Sequence, residues 1–425
     1  MDRRQFLAGL GVAPVLETAL AATDALDAAD RRGLAPEDDA RDESLWLTVA
    51  QAYAPDRSLL NLNNGGCSPT PTAALAALKR HLDFSNKAPP YAMWKELEPH
   101  KELVRQQLAR IAGADPESIA IVRNTTEGLH VCECGFDLAR GDEVVISSQD
   151  YPRMRWAFRQ RERREGIVVR EIALPVPSED DEEIVRRYAA AITGKTKLIL
   201  MCHVINLTGQ ILPVQRVVAM ARERGIPVIV DGAHSFANLD FALPHLDCDY
   251  YATSLHKWLS APVGSGMLFV KRERIEKLWP LHPSDAAIDS DIRKFEQLGT
   301  HPIATFLAIA EAAALHEAIG IGRKVARLRF LRDTWAKRVL ATGRVTLRTS
   351  LLPDQSVGLA TMAVDGIEAK ALAEHLWTKL KILVAPIGHP EVQGIRVSAH
   401  VYTSLDDLDR FCSAIEQVAK HGLPG

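Results

Sequence analysis

No stretch of this sequence reaches the roughly 18 uninterrupted apolar residues that a membrane-crossing helix needs, so no membrane span is expected. Cysteine is scarce. Its six copies, Cys67, Cys132, Cys134, Cys202, Cys248 and Cys412, are scattered over 425 residues, with no CxxC pair and no histidine at metal-ligand spacing. That pattern argues against a disulfide framework or a zinc site and reads as buried thiols. The Cys132-Glu-Cys134 pair has no partners for a metal either. Charge of one sign is also missing: 51 Lys and Arg stand against 54 Asp and Glu, a net charge of -3. No global field therefore draws the chain to nucleic acid or to an anionic membrane. Internal repeats and low-complexity blocks are absent. What is present is 47% apolar and 25% charged residues, enough for a large core in an α/β enzyme-sized chain.

At the N-terminus, residues 2–8 read Asp-Arg-Arg-Gln-Phe-Leu-Ala, and an apolar stretch from Leu7 to Ala22 follows. Paired arginines, an apolar run and a small-residue cleavage site are the pattern of a twin-arginine export signal. The match lies at Arg3, Arg4, Phe6 and Leu7, and Glu17 interrupts the run. Periplasmic export is the expectation, and an amphipathic helix on a cytoplasmic protein is the alternative. Residues 23–44, rich in Ala, Asp and Arg, read as a polar linker.

From about residue 58, short β-type runs alternate with helical ones, which predicts a mostly parallel sheet covered by helices. Strands are expected at Ser118–Val122, Glu143–Ser147, Val168–Ile172, Lys197–Cys202, Pro227–Val230, Tyr250–Ala252 and Gly266–Val270. Helices are expected at 127–138, 152–165, 179–192 and 213–224. A composition change at Leu278–Asp291 marks the hinge, followed by one Ala-rich helical run over 302–319 and a long polar helix to about 342. Strands near 344–348, 357–364, 381–385 and 394–398, with helices near 367–379 and 405–421, predict a smaller α+β domain. The resulting division is 1–44 (signal and linker), 45–290 (large domain) and 291–425 (interdomain helix and small domain). The arginine cluster of residues 153–164 and the acidic run Glu179–Glu183 read as solvated helix faces, with Arg153 or Arg155 as the alternative contact to an acidic substrate.

The chemistry concentrates at two strand ends. Val228-Ile-Val-Asp231-Gly-Ala-His234 places a carboxylate at the carboxyl edge of a parallel sheet, where open α/β folds bind ligands. A second strand then ends in Ser254-Leu-His256-Lys257-Trp258. A lysine after a buried strand is expensive to desolvate, so a shifted pKa or covalent Schiff-base chemistry is expected there. An amine to hold a cofactor and an acid to keep its ring nitrogen protonated are what pyridoxal phosphate requires.

In combination, Asp231-Gly-Ala-His and Ser254-Leu-His-Lys-Trp-Leu-Ser-Ala-Pro-Val-Gly-Ser-Gly resemble the class V aminotransferase family of fold-type I pyridoxal phosphate enzymes. The similarity spans about 58–415 and is strongest to the isopenicillin N epimerase-like branch. It implies pyridoxal 5'-phosphate as cofactor, a seven-stranded mostly parallel sheet in the large domain, and a homodimer with shared active sites. By resemblance, Lys257 holds the cofactor and moves the α-proton, and Asp231 pairs with the ring nitrogen. His234 and Asn206 contact its phenolic oxygen, and Tyr151 stacks on its ring. Asn124, Thr125 and Thr126, between a strand and a helix, cradle the phosphate with Ser254 and His256, as a positive helix end allows. Thr300 reaches the phosphate of a neighbouring subunit. Arg396 forks onto a substrate carboxylate, a bidentate task that lysine performs poorly. Asn64 is either a pocket residue or a turn residue.

The expected substrate is a small amino-acid-like molecule, and the expected reaction is transamination or epimerisation at its α-carbon. Epimerisation needs a second proton donor opposite Lys257, with Tyr151 and His234 as candidates. A C–S lyase is the alternative. Cysteine desulfurase is disfavoured, because no cysteine lies between Val384 and Ile395, where desulfurases of the family carry their nucleophile. A binding protein that kept the fold without catalysis is the remaining reading. An export signal would match exported members of the branch that modify peptide siderophores such as pyoverdine.

Overall fold

The computed structural model describes residues 23–27, 29–30 and 33–424, so the paired arginines and apolar stretch of the expected export signal lie outside the described residues. The strands, in chain order, are β1 (Leu60–Asn61), β2 (Ile119–Val122), β3 (Glu143–Ser147), β4 (Val168–Ile172), β5 (Thr196–Cys202), β6 (Val228–Asp231) and β7 (Tyr250–Ser254). They continue with β8 (Gly266–Val270), β9 (Val345–Leu347), β10 (Leu359–Val364), β11 (Ile382–Leu383), β12 (Ala385–Gly388) and β13 (Gln393–Ser398).

Strands β2 to β8 form a 7-stranded sheet in the order β2-β8-β7-β6-β5-β3-β4. Neighbours from β4 across to β7 pair in parallel, whereas β8 runs antiparallel to both β7 and β2. The central strands are near-continuous apolar runs because helices cover both faces and leave no side for polar residues. Period-two alternation then sorts them. Ile199, Met201, Val228, Val230 and Tyr251 enter one core layer, with Val104, Leu108 and Val217 from helices 101–112 and 214–222. Leu198, Leu200, Ile229, Tyr250 and Ala252 enter the other, with Leu129 and Phe158 from helices Thr125–Gly135 and Pro152–Glu165. Parallel strands end on one edge, so Cys202, Asp231 and Ser254 emerge side by side.

The C-terminal unit is a 4-stranded antiparallel sheet, β12-β13-β10-β9. Helices Ala369–Leu380 and Leu405–His421 contribute to its core, with Trp335 set edge-on to Phe411 at 5.8 Å between ring centroids. The latter helix starts at a capping box in which Ser404 and Asp407 satisfy each other's backbone amides.

Three expectations need correction. The helical run over 302–319 is broken at Ala308 into Ile303–Leu307 and Ile309–Ile319. It then meets the helix Ile321–Leu340 at a bend of 81°, where Gly320 takes a φ of 78°. Beyond the expected strand at 381–385, a further strand β12 runs over Ala385–Gly388, whose Ala-Pro-Ile-Gly sequence carries little β-propensity. The segment read as a polar linker is packed: Leu26 and Ala29 are buried, and Arg323 bonds Asp39 and Asp30 at 2.8 and 2.7 Å. Its charged residues serve this docking onto the long helix.

One pairing crosses the chain. β1 lies parallel to β11, joining Leu60 to Ile382 and Asn61 to Leu383, which carries residues 60–66 to the C-terminal unit. Among the described residues, no single helix is long and apolar enough to cross a membrane.

Candidate active site

The carboxyl edge of the large sheet and the C-terminal unit enclose a cavity of about 310 Å³. Its base is the end of β6. Asp231 is buried, and its Oδ1 accepts from the Ala233 amide at 2.9 Å. Gly232 follows because the chain passes so close to the Tyr251 ring that a Cβ would lie 1.9 Å from its Cζ. The turn aims His234 into the cavity, where Nε2 lies 3.3 Å from the amine of Lys257, and Lys257 is partly accessible from the cavity.

The phosphate end is built by Thr125–Gly135, a helix that Asn124 caps by accepting from the Glu127 amide at 2.9 Å. The side-chain oxygen of Asn124 is thus engaged as a cap. Thr125 and Thr126 line the cavity in the helix's first turn, where the positive end of the helix dipole favours an anion. The Ser254 hydroxyl accepts from the Thr125 amide at 2.9 Å and lies 2.6 Å from its hydroxyl, tying β7 to this helix end. A side chain at Gly266 would come within 2.6 Å of the Asn124 Cα, so only glycine lets β8 approach the loop.

Opposite stands Arg396, on β13 and 7% exposed. Its Nη1 donates to the Asn206 carbonyl at 2.8 Å, and its Nη2 donates to Oδ1 of Asn63 at 3.0 Å. Both acceptors are neutral. Tyr151 precedes helix Pro152–Glu165, lines the cavity and is 37% exposed. The cavity thus gathers Asn124, Thr125, Thr126, Tyr151, Asn206, Asp231, His234, Ser254, His256, Lys257 and Arg396.

Two expected residues stand elsewhere. Asn64 is fully buried and is a turn residue, not a lining one. Its amide donates to the carbonyls of Asn61 and Ser398 at 3.0 Å each, and its Oδ1 accepts from the Tyr402 hydroxyl at 2.6 Å. The neighbouring Asn63 is the one that touches Arg396. Thr300 is exposed and lies outside this chain's own cavity. Gly65 and Gly66 also line the cavity, and their pairing after Asn63-Asn64 is the only mark of this in the sequence.

Burial governs the electrostatics. It pulls the Lys257 amine down from 10.5 to about 8, against the attraction of Asp231. It pushes the Asp231 carboxyl up, partly offset by the Ala233 amide and by Lys257. It also lowers the Arg396 guanidinium to about 10. In each case desolvation works against the charged form, and the opposite charges of Asp231 and Lys257 partly offset it.

Pyridoxal phosphate fits these residues. Oδ1 of Asn206 and Nδ1 of His256 are buried polar atoms without a hydrogen-bond partner, and both residues line the cavity. A helix end offers donors for a phosphate, Lys257 an amine, and Asp231 the acid for a ring nitrogen.

The sequence from 60 to 411 matches the model of the class-V aminotransferases. The chain belongs to that family. It is 33% identical over 398 residues to isopenicillin N epimerase of Streptomyces clavuligerus, covering 87% of this chain and 98% of the relative. Identity to the isopenicillin N epimerase of Amycolatopsis lactamdurans is 30%, over 88% and 99% of the two chains. Hercynylcysteine sulfoxide lyase of Schizosaccharomyces pombe is 24% identical over 64% of this chain and 71% of that one. Among solved structures, C-DES with glycine covalently linked to the PLP cofactor superposes with a TM-score of 0.76 at 22% identity, over 85% and 99% of the two chains. An apo cysteine desulfurase from Thermococcus onnurineus gives 0.77 at 22%, over 88% and 98%. The fold is that of these enzymes.

Proposed function

We propose that this protein is a pyridoxal phosphate-dependent epimerase acting at the α-amino carbon of an amino acid or of an aminoacyl group in a small metabolite. The cofactor is pyridoxal 5'-phosphate, and when bound it supplies an electron sink that acidifies the substrate's α-C–H. Asp231 would keep the cofactor's ring nitrogen protonated, and Thr125, Thr126 and Ser254 would hold its phosphate at the helix end. Lys257 holds the cofactor and moves the α-proton as a general base with a lowered pKa.

The observation that carries the reading is Arg396. Its buried guanidinium donates only to neutral acceptors, the Asn206 carbonyl and Asn63 Oδ1, and a carboxylate suits its fork better than either. It shares a cavity with Lys257 and Asp231, so a substrate carboxylate held there brings its α-carbon to the amine. Inversion needs a second proton donor. His234 already neighbours the Lys257 amine at 3.3 Å, and we assign the second proton donor to Tyr151, which lines the same cavity.

The test is incubation with L- and D-amino acids in deuterium oxide. Deuterium uptake at the α-carbon with inversion and no 2-oxo acid is expected, together with a cofactor absorption band that Lys257→Ala removes. Release of 2-oxo acid with transfer of the amino group would instead mean a transaminase. Likeness to a sulfoxide lyase supports a C–S lyase as the second reading, and release of pyruvate and ammonia from a cysteine conjugate would establish it. We also propose a homodimer in which Thr300 serves the partner's site, to be tested by sedimentation and by complementation of Lys257→Ala with a Thr300 variant. Periplasmic export on the N-terminal arginines is tested by fractionation of cells carrying paired Arg3→Lys and Arg4→Lys substitutions.

A further inference from the structure

The amine of Lys257 stands at the end of a buried polar chain. Its Nζ lies 3.3 Å from Nε2 of His234, and Nδ1 of the same imidazole accepts from the Trp258 indole at 3.3 Å. An indole N–H donates and never accepts. Nδ1 is therefore the lone-pair nitrogen, and a neutral ring must carry its single proton on Nε2. The ring is neutral: His234 is buried, and desolvation, aided by the positive charge of Arg396, holds it well below the usual histidine range. Nε2–H then points at Lys257 as a donor. An amine can accept it only when unprotonated, because an ammonium has three donors and no lone pair.

Trp258 is itself fixed. It is fully buried, its ring stacks on His400 at 6.1 Å and 14°, and its carbonyl accepts from the buried amine of Lys324. His400 in turn contacts the Ser260 hydroxyl at 3.2 Å.

We propose that Trp258 is a positioning residue: its indole N–H locks His234 in the tautomer protonated at Nε2, so that this N–H faces the Lys257 amine and favours its neutral, reactive form. The inference rests on Lys257 being the reactive amine. Without the indole N–H, the imidazole is free to move its proton to Nδ1 and to accept at Nε2 from an ammonium. The midpoint of Lys257 then rises. The other groups that act on this amine are Asp231, Arg396, Cys202 and Cys67, and substitution at Trp258 changes none of them.

The test uses full-length protein carrying ¹⁵N-histidine, as purified and after removal of the cofactor. Long-range proton–nitrogen spectra should show His234 with a proton on Nε2 and none on Nδ1, and Trp258→Phe should redistribute it. Competitive acylation of the cofactor-free protein should show Lys257 labelling about threefold or more slower at neutral pH in Trp258→Phe, the consequence of a rise of half a pH unit. Should phenylalanine loosen the fold, site-specific incorporation of the benzothienyl analogue of tryptophan removes only the N–H. A proton on Nδ1 of wild-type His234, or a labelling midpoint unmoved by loss of the indole N–H, overturns the proposal. Absence of a cofactor band sinks the cofactor reading alone, because the histidine spectrum does not depend on it.

Discussion

Replacing Arg396 with glutamine separates a ligand-binding role from a structural one. Burial lowers its guanidinium from 12.5 to about 10. At about 1.4 kcal/mol per unit, the fold spends roughly 3 kcal/mol keeping this side chain charged. Substitution relieves that cost but leaves the Asn206 carbonyl and Asn63 Oδ1 short of donors, a loss of about 1–3 kcal/mol each. The terms oppose each other and nearly cancel, so thermal melting should move by no more than a few degrees. Catalysis should not be spared. A bidentate grip on a carboxylate consists of two charge-assisted bonds worth about 1.5–3 kcal/mol each, which puts the loss in kcat/KM at about a hundredfold to ten-thousandfold. Arg396→Lys keeps the charge without the fork and should fall between the two. Both substitutions are read by steady-state kinetics on the substrate found in the deuterium screen, alongside melting curves. A loss in kcat/KM below tenfold at unchanged stability would refute the carboxylate assignment. A collapse in melting temperature would show that Arg396 is a structural post.

Lys324 is fully buried, and desolvation takes it from 10.5 to about 7. Between those values the unfolded chain binds the proton and the native state does not, so stability rises with pH across that window and the penalty is complete below it. Lys324→Met should flatten that rise and stabilise the protein at neutral pH by about 1–3 kcal/mol, measured by denaturant unfolding at several pH values; an undiminished slope counts against the argument. Gly232→Ala drives a methyl into the Tyr251 ring and should cost about 1–3 kcal/mol or more along with cofactor retention, so a variant as stable as wild type would contradict the close approach. Asn124→Ala removes a helix cap and should cost about 1 kcal/mol while speeding cofactor loss on dialysis; an unchanged loss rate would mean that the helix end does not hold the phosphate.

Much of this architecture was legible in the sequence, because it depends on patterns contained within a few residues. An apolar run of strand length ended by Asp231, and another followed by Lys257, suffice to place an acid and an amine at one sheet edge once parallel strands are recognised. Asn124 before a helical run announces a cap and, with it, an anion-binding helix end. What stayed hidden depends on contacts distant in sequence. Nothing in Asn61-Leu-Asn-Asn-Gly-Gly says whether Asn63 or Asn64 turns toward Arg396. The pairing of β1 with β11 and the bonds from Asn64 to Ser398 and Tyr402 decide it, and they bury Asn64 and release Asn63. The polar composition of residues 23–44 likewise conceals that Asp30 and Asp39 have Arg323 as partner on a distant helix. Trp258 reads locally as a core aromatic, and only the folded chain aligns its N–H with His234. The sequence by itself therefore determined which chemical groups stand at the sheet edge. Tertiary structure alone decided which way each of them points and what lies behind it, because side-chain direction in turns and buried hydrogen bonds is set by partners brought together only when the sheets close.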